Sequence, residues 1–243
     1  SKKVFRSTDA ANWSAIDISG LTDIAAAHTA IANASNNQGV YGCTTNGSGT
    51  WWFGYANKIY KSTDNASSWS LEHSLSDSDL HVQSMAYTNN SVVALCWDVS
   101  TANDEQVVLV SAAASDTTDW CSAVAAVGNN SGTLVDVNPQ RIAAANGRVI
   151  AWNNSSTLAF DVNGKTLAVV SGSDGNLKTA GGDGNINAIC TDGSNNWWMG
   201  RDGDGSSGGI SKSTDNGITF TEIVDGTNSK KIEAIITDVY LPL

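Results

Sequence analysis

The chain has 243 residues, enough for one large all-β domain or two small ones with a sizeable core. Its 41% hydrophobic content, nine tryptophans and only 15% charged residues exclude a disordered chain, which would be poor in aromatics and rich in charge. An excess of 24 Asp and Glu over 13 Lys and Arg gives a formal charge of −11, a surface that repels phosphate backbones and anionic lipid, so neither nucleic acid nor a membrane is expected as a partner.

No run approaches the roughly 18 apolar residues of a membrane-spanning helix, and residues 1–20 lack the apolar stretch of a signal peptide. With two Pro among 23 Gly, turns fall to Gly, Asn, Asp and Ser, as at Asn46-Gly47-Ser48-Gly49, Asn129-Asn130-Ser131-Gly132 and Asp202-Gly203-Asp204-Gly205. Frequent turns mean many short segments. Cys43, Cys96, Cys121 and Cys190 show no CxxC pairing and no His at zinc-ligand spacing; they read as buried free thiols, with one or two disulfides left open.

In chain order, Val4-Phe5-Arg6-Ser7-Thr8-Asp9 and then Trp13-Ser14-Ala15-Ile16-Asp17-Ile18 read as the third and fourth strands of a repeating unit. Residues 21–33 are Ala-rich, with Leu21, Ile24, His28 and Ile31 at helical spacing and Thr22 or Asp23 as a cap. They predict a short helix or an extended connection, in which His28 packs rather than binds. The first complete unit, near 38–75, runs from Val40-Tyr41-Gly42-Cys43-Thr44 through Trp51-Trp52 and Lys58-Ile59-Tyr60 into a turn, KSTDNASSW, at 61–69. Near 80–128 the same four-strand rhythm predicts strands at 81–88, 91–98, 106–112 and 119–127; near 133–173 it predicts 140–145, 148–153, 156–162 and 166–171. Trp97 and Trp152 fall at the register of the tryptophan pair.

The unit near 184–226 repeats the first closely, with strands expected at 185–191, 196–201, 209–214 and 219–224, a second pair Trp197-Trp198 and a second turn, KSTDNGITF, at 212–220. The corresponding turn positions Asp64, Ala113, Val162 and Asp215 lie 49, 49 and 53 residues apart, a period suited to propeller blades. Residues 231–238 then read as a first strand, with only 239–243 after it. Four internal units plus one shared by 1–20 and 230–243 predict an all-β fold. It is a single five-bladed β-propeller of four-stranded antiparallel blades, closed by N- and C-terminal strands in one blade, with residues 21–37 inserted. Closure removes unpaired edges. The tryptophan pairs are expected in the packing between blades, one ring of each pair buried and the other less so.

The turns Ser62-x-Asp64-x-Ala66-x-Ser68-Trp69 and Ser213-x-Asp215-x-Gly217-x-Thr219-Phe220 resemble Asp-boxes, or bacterial neuraminidase repeats, whose pattern is S-x-D-x-G-x-T-W. Ser7-x-Asp9 with Trp13 is similar but one residue short, and Asn163-Gly164-Lys165-Thr166-Leu167 keeps the second half with Val162 in place of the aspartate. The blade rhythm also resembles photosystem II assembly factor propellers and their bacterial and phage look-alikes. The resemblance implies a hairpin device between third and fourth strands, in which the aspartate accepts backbone N–H bonds, Gly permits positive φ and the aromatic covers an apolar side. Asp64 and Asp215 are therefore expected to be structural, and Lys61 and Lys212 to be solvated neighbours.

Catalytic readings fare poorly against the chemistry. A sialidase needs three arginines around a carboxylate, a Tyr–Glu pair and an acid/base aspartate, but the chain has only Arg6, Arg141, Arg148 and Arg201, and none lies in an Arg-Ile-Pro context. Of its glutamates, Glu72, Glu105 and Glu222 fall on outer strands or loops and Glu233 has no obvious tyrosine partner. His28, His73 and His81 crowd into one third of the chain, and no Gly-x-Ser-x-Gly elbow occurs. The loop 202–208 lacks the third acidic ligand and distal glutamate of a calcium loop. No catalytic residue, cofactor or metal is therefore expected. The acidic, Ser/Asn/Gly/Ala-rich, proline-poor composition and the degenerate repeats resemble exterior proteins of bacteriophages, which implies a non-catalytic interaction module on a virion surface, a capsid decoration or tail-associated protein. The alternatives are an extracellular carbohydrate-binding lectin or adhesin, and an assembly factor of a membrane complex. Partners would be proteins of a larger assembly, or glycans.

Overall fold

A computed structural model describes residues 3–7, 11–22, 24, 42–78, 80–98, 107–121, 125–126, 141–152, 157–170, 186–201 and 209–225. Their strands gather into five antiparallel sheets. In the first, β1 (Lys3–Arg6) pairs with β2 (Ser14–Asp17). The second is the meander β3 (Cys43–Thr45), β4 (Trp51–Tyr55), β5 (Lys58–Ser62) and β6 (Ser70–Ser74). The third runs β7 (Leu80–Thr88), β8 (Ser91–Asp98), β9 (Val107–Ala113) and β10 (Asp116–Trp120), with β11 (Ala125–Ala126) also pairing β9. The fourth holds β12 (Arg141–Ala145), β13 (Arg148–Trp152), β14 (Thr157–Asn163) and β15 (Thr166–Val169). The fifth holds β16 (Ile186–Thr191), β17 (Trp197–Arg201), β18 (Gly209–Ser213) and β19 (Thr221–Asp225). The chain is a five-bladed β-propeller: each sheet is a blade, and the leading strands of successive blades touch in order, β3 on β7, β7 on β12 and β12 on β16.

Burial follows that ring. Ile18, Phe53, Tyr55 and Tyr60 pack the first blade on the second; Trp52, Val82 and Met85 pack the second on the third. Val93, Leu109, Val149 and Phe160 join the third to the fourth, and Ile150, Trp197, Met199 and Phe220 join the fourth to the fifth. Blades approach closely enough that a Cβ on Gly54 would lie 2.2 Å from Val82 Cγ1, so this strand position tolerates no side chain. At the β7–β8 hairpin Asn89 and Asn90 both take left-handed φ, 46° and 55°, as a type I′ turn requires. The expected closing strands at 231–238 and 239–243, and most of the insertion including His28, lie outside the described residues. Phe5, Trp13 and Ile223 stay 62, 63 and 53% exposed.

Three expectations need correction. The outer strand of the third blade, expected as one piece over 119–127, starts at Asp116 and breaks: Asp116 faces Ala113 and Trp120 faces Ala112, while Ala125 and Ala126 pair with Leu109 and Val108. A bulge shifts the register between Asp116 and Trp120, where Asp116 Oδ1 accepts the Thr118 N–H at 3.3 Å, an Asx-type turn, and the Thr118 hydroxyl at 2.6 Å. Ala113 and Val162 are strand residues, not turn residues; Val162 is 3% exposed in the core, and the β14–β15 turn is only Gly164-Lys165. These blades close their outer hairpins with two residues where the second and fifth use a long turn. Trp13, expected to cover its hairpin, is exposed. Its counterpart Trp69 packs edge-on against Phe53 of β4, and the first blade has no second strand among the described residues to supply such a ring.

The tryptophan pairs divide between buried and less buried, but oppositely. Trp52 is fully buried in the second blade and Trp197 in the fifth. Trp52 faces the third blade and stacks on Tyr87 at 6.1 Å, whereas Trp197 faces the fourth blade in the cluster with Ile150. Alternation along the strand puts the other ring of each pair on the opposite face.

Candidate functional site

The two repeated turns join β5 to β6 and β18 to β19, and their hydrogen bonds match one for one. Ser62 Oγ donates to Asp64 Oδ1 at 2.7 Å and accepts the Ala66 N–H at 2.9 Å; Ser213 does the same with Asp215 and Gly217 at 2.7 and 2.9 Å. Asp64 Oδ1 accepts the N–H groups of Ser67 and Ser68 at 3.0 and 2.8 Å, and Oδ2 accepts the Ser68 hydroxyl at 2.6 Å. Asp215 accepts the N–H groups of Ile218 and Thr219 at 3.1 and 2.9 Å and the Thr219 hydroxyl at 2.6 Å. The Ser68 hydroxyl and N–H, with Ser62, hold the Asp64 carboxyl well below the usual carboxylate range. Burial pushes Asp215 upward, but the Thr219 hydroxyl and N–H with Ser213 outweigh it and leave a net lowering.

Sequence reasoning missed the asparagines of these turns. Asn65 and Asn216 take φ of 59° and 58°, and their Oδ1 atoms accept the indole N–H of Trp51 at 3.2 Å and of Trp197 at 3.1 Å. Each turn is thereby tied to the second strand of its own blade. The signal lay in the asparagine that follows the turn aspartate in both KSTDN segments, 14 residues after Trp51 and 19 after Trp197. Ser7 and Trp13 are described but Asp9 is not, so the short third copy of the turn has no described geometry.

Beside the first turn is a cavity of about 210 Å³ lined by Lys61, Ser62, Thr63, Ser68, Trp69, Ser70 and Glu72. Lys61, expected to be merely solvated, puts Nζ 2.9 Å from Glu72 Oε1, with side-chain exposures of only 20 and 16%. The same oxygen accepts the Thr117 hydroxyl of the third blade at 2.5 Å, and Thr117 in turn accepts the Trp52 indole N–H at 3.2 Å. The Trp69 indole N–H is buried with no partner among the described residues. In the fifth blade the corresponding groups part company. Lys212 lies over the Trp198 ring at 5.3 Å, Glu222 is 3.9 Å from buried Arg201, and Phe220 replaces Trp69. The turns are alike; the contacts of their flanking side chains differ.

The other candidate residues are spread out. Arg6 NH1 donates to Ser67 Oγ at 2.7 Å, Arg141 NH1 to the Asn187 carbonyl at 2.7 Å, Arg148 Nε to Asp161 at 3.0 Å and Arg201 NH2 to Ser211 Oγ at 3.1 Å, on β1, β12, β13 and β17. His73 on β6 has its pKa lowered by burial, and His81 on β7 is 4% exposed. Glu105, Glu233 and the loop 202–208 lie outside the described residues. The four cysteines are free thiols, but the expected burial holds only for Cys96 and Cys121, since Cys43 is exposed and Cys190 half-buried; desolvation pushes the Cys96 thiol far up and Cys190 up to about 11. Among the described residues no three His, Cys, Asp or Glu side chains come together as a metal-ligand set, and no helix is long and apolar enough to cross a membrane.

No family model matches the chain, and no curated protein matches it. Among solved structures it is similar to YCF48 from Cyanidioschyzon merolae, at 14% identity and a TM-score of 0.49, over 94% of this chain and 65% of that one. It is also similar to YCF48 bound to D1 peptide (12% identity, TM-score 0.46, 88% of this chain and 57% of that chain). A third is a polysaccharide lyase of family PL25, an ulvan lyase (12% identity, TM-score 0.45, 76% and 55%). The chain thus spans less than two thirds of each of these structures. All three TM-scores fall below 0.5, so the fold rests on the strand pairings themselves.

Proposed function

We propose that this propeller is a non-catalytic interaction module. The observation that carries this reading is the matched hydrogen bonding of the two turns. Asp64 and Asp215, the acids that the repeat makes most conspicuous, are each occupied by two backbone N–H groups and two hydroxyls. A carboxylate so engaged, with its pKa lowered, is a poor proton donor or base near neutral pH. Their role, with Ser62, Trp69, Ser213, Gly217 and Phe220, is to fasten the outer hairpins in the manner of Asp-boxes. The described arginines are likewise engaged on separate strands, which disfavours a sialidase-like carboxylate clamp.

The finer part of the proposal is a place on a virion surface, as a capsid decoration or tail-associated protein, with proteins of the assembly as partners. Composition supports it: the chain is acidic and rich in Ser, Asn, Gly and Ala, with two prolines. The test is quantitative mass spectrometry of purified particles, which should find the chain at fixed stoichiometry to the major structural protein. A monodisperse monomer found in no particle removes this reading. A second reading, glycan binding, is favoured by the cavity beside Trp69 and is tested by a glycan array probed with the whole chain. An assembly-factor role has no comparable feature of the described residues in its favour.

A further inference from the structure

The cavity of the second blade combines features that the hairpin does not need, since the fifth blade builds the same turn without them. We infer that it is a binding site for a single uncharged sugar ring; this rests on the glycan-binding reading and gives it one location. Charge sets the ligand class first. Lys61 and Glu72 neutralise each other at 2.9 Å, so neither an anion nor a cation gains a net partner there. Unused hydrogen-bonding capacity sets it next. Among the described residues Glu72 Oε2 accepts nothing, the Lys61 ammonium keeps donors beyond the one it gives to Glu72, and the Thr63 and Ser70 hydroxyls are unengaged. A hydroxyl is the neutral group that both donates to a carboxylate and accepts from an ammonium, and two adjacent hydroxyls on one ring satisfy such a pair together.

Shape agrees. About 210 Å³ is below the ~300 Å³ at which sites begin to engulf drug-sized ligands, yet it exceeds the share of several waters at ~30 Å³ each. That suits one pyranose. The Trp69 ring, fixed edge-on to Phe53 at 4.7 Å and 74°, offers an apolar wall to the C–H groups of a sugar, and its buried indole N–H is an unspent donor. The polar side of the cavity is held in place by the Trp52–Thr117–Glu72–Lys61 chain, which braces the second blade against the third. Such preorganisation lowers the cost of ordering the side chains on binding.

The test uses the whole chain with ¹⁵N-labelled tryptophan and a panel of methyl pyranosides of glucose, galactose, mannose and N-acetylglucosamine. One ring of about a dozen heavy atoms should bind on the order of millimolar. The indole signal missing from Trp69→Phe should move saturably with at least one of the four sugars. Glu72→Gln, which keeps an oxygen for Thr117, should weaken binding tenfold or more, while Lys212→Ala, the same position in the fifth blade, should leave it unchanged. Thermal melts confirm that the variants remain folded. If no member of the panel moves the Trp69 signal at tens of millimolar, the site is refuted. If glycans bind but Glu72→Gln and Trp69→Phe bind as wild type, glycan binding stands and this location falls.

Discussion

Asp215→Ala removes an acceptor that takes hydrogen bonds from the Ile218 and Thr219 N–H groups and from the Ser213 and Thr219 hydroxyls. The hydroxyls can rotate towards water, but the two N–H groups point into the turn and lose their partner unless the hairpin opens. At about 1 kcal/mol for each backbone bond, the loss is about 2 kcal/mol. For a domain of this size about 2–4 °C of Tm accompanies each kcal/mol, so Tm should fall by about 4–8 °C. Asp215→Asn, which keeps one oxygen, should lose about half of that. The effect also has a pH signature. The folded-state pKa of Asp215 is depressed from 3.8, so its contribution is complete above that unfolded value and is lost as pH falls through the folded one. Calorimetry should therefore find the gap between wild type and Asp215→Ala widest near neutral pH and shrinking steadily below about pH 4. An Asp215→Ala protein melting within about 1 °C of wild type at neutral pH, or a gap unchanged at pH 2, refutes the fastener role.

Gly217 has φ +77°, and a Cβ there would lie 2.6 Å from Ile150 Cδ1, so Gly217→Ala should cost about 2 kcal/mol in urea unfolding. Ala66 already holds a Cβ at φ 61° in the first copy, and Ala66→Gly should change stability by less than about 1 kcal/mol. Gly54→Ala should destabilise by about 2–3 kcal/mol because its Cβ strikes Val82, and Val82→Ala in the same chain should recover part of that loss, a coupling that a double-mutant cycle measures. In a thiol-labelling assay at neutral pH exposed Cys43 should react first. Cys96 and Cys121, at 0 and 9% exposure, should label only on unfolding.

Much of the architecture was legible because it is written locally. The Trp51-Trp52 and Trp197-Trp198 pairs, the KSTDN turns and the roughly 50-residue period each follow from alternation and turn chemistry within a few residues, so the blades could be counted from the chain. Among the described residues strand ends were legible to within about two positions, apart from the outer strand of the third blade. There a bulge around Asp116 and Thr118 changes the pairing without interrupting the apolar pattern. The degenerate turns misled for a related reason: equal spacing placed Val162 opposite Asp64, but register is set by pairing, and Val162 belongs to the core.

The cavity was not legible. Lys61, Glu72 and Trp69 lie close in sequence, but apart from Phe220 in place of Trp69 the two KSTDN segments are nearly identical, and nothing local says that these three side chains line one cavity. Contacts beyond the turn make the difference. Thr117 reaches over from the third blade to hold Glu72, while within the fifth blade Lys212 settles on the half-buried Trp198 of the adjacent strand and Glu222 lies 3.9 Å from Arg201. Sequence alone determined the repeating unit, its strands and the turns that fasten them, since hydrogen bonds between residues two to four apart need no distant partner. Which tryptophan of a pair is buried and which lysine is neutralised were decided only by the tertiary structure, because those outcomes depend on what other strands and the next blade place against each face.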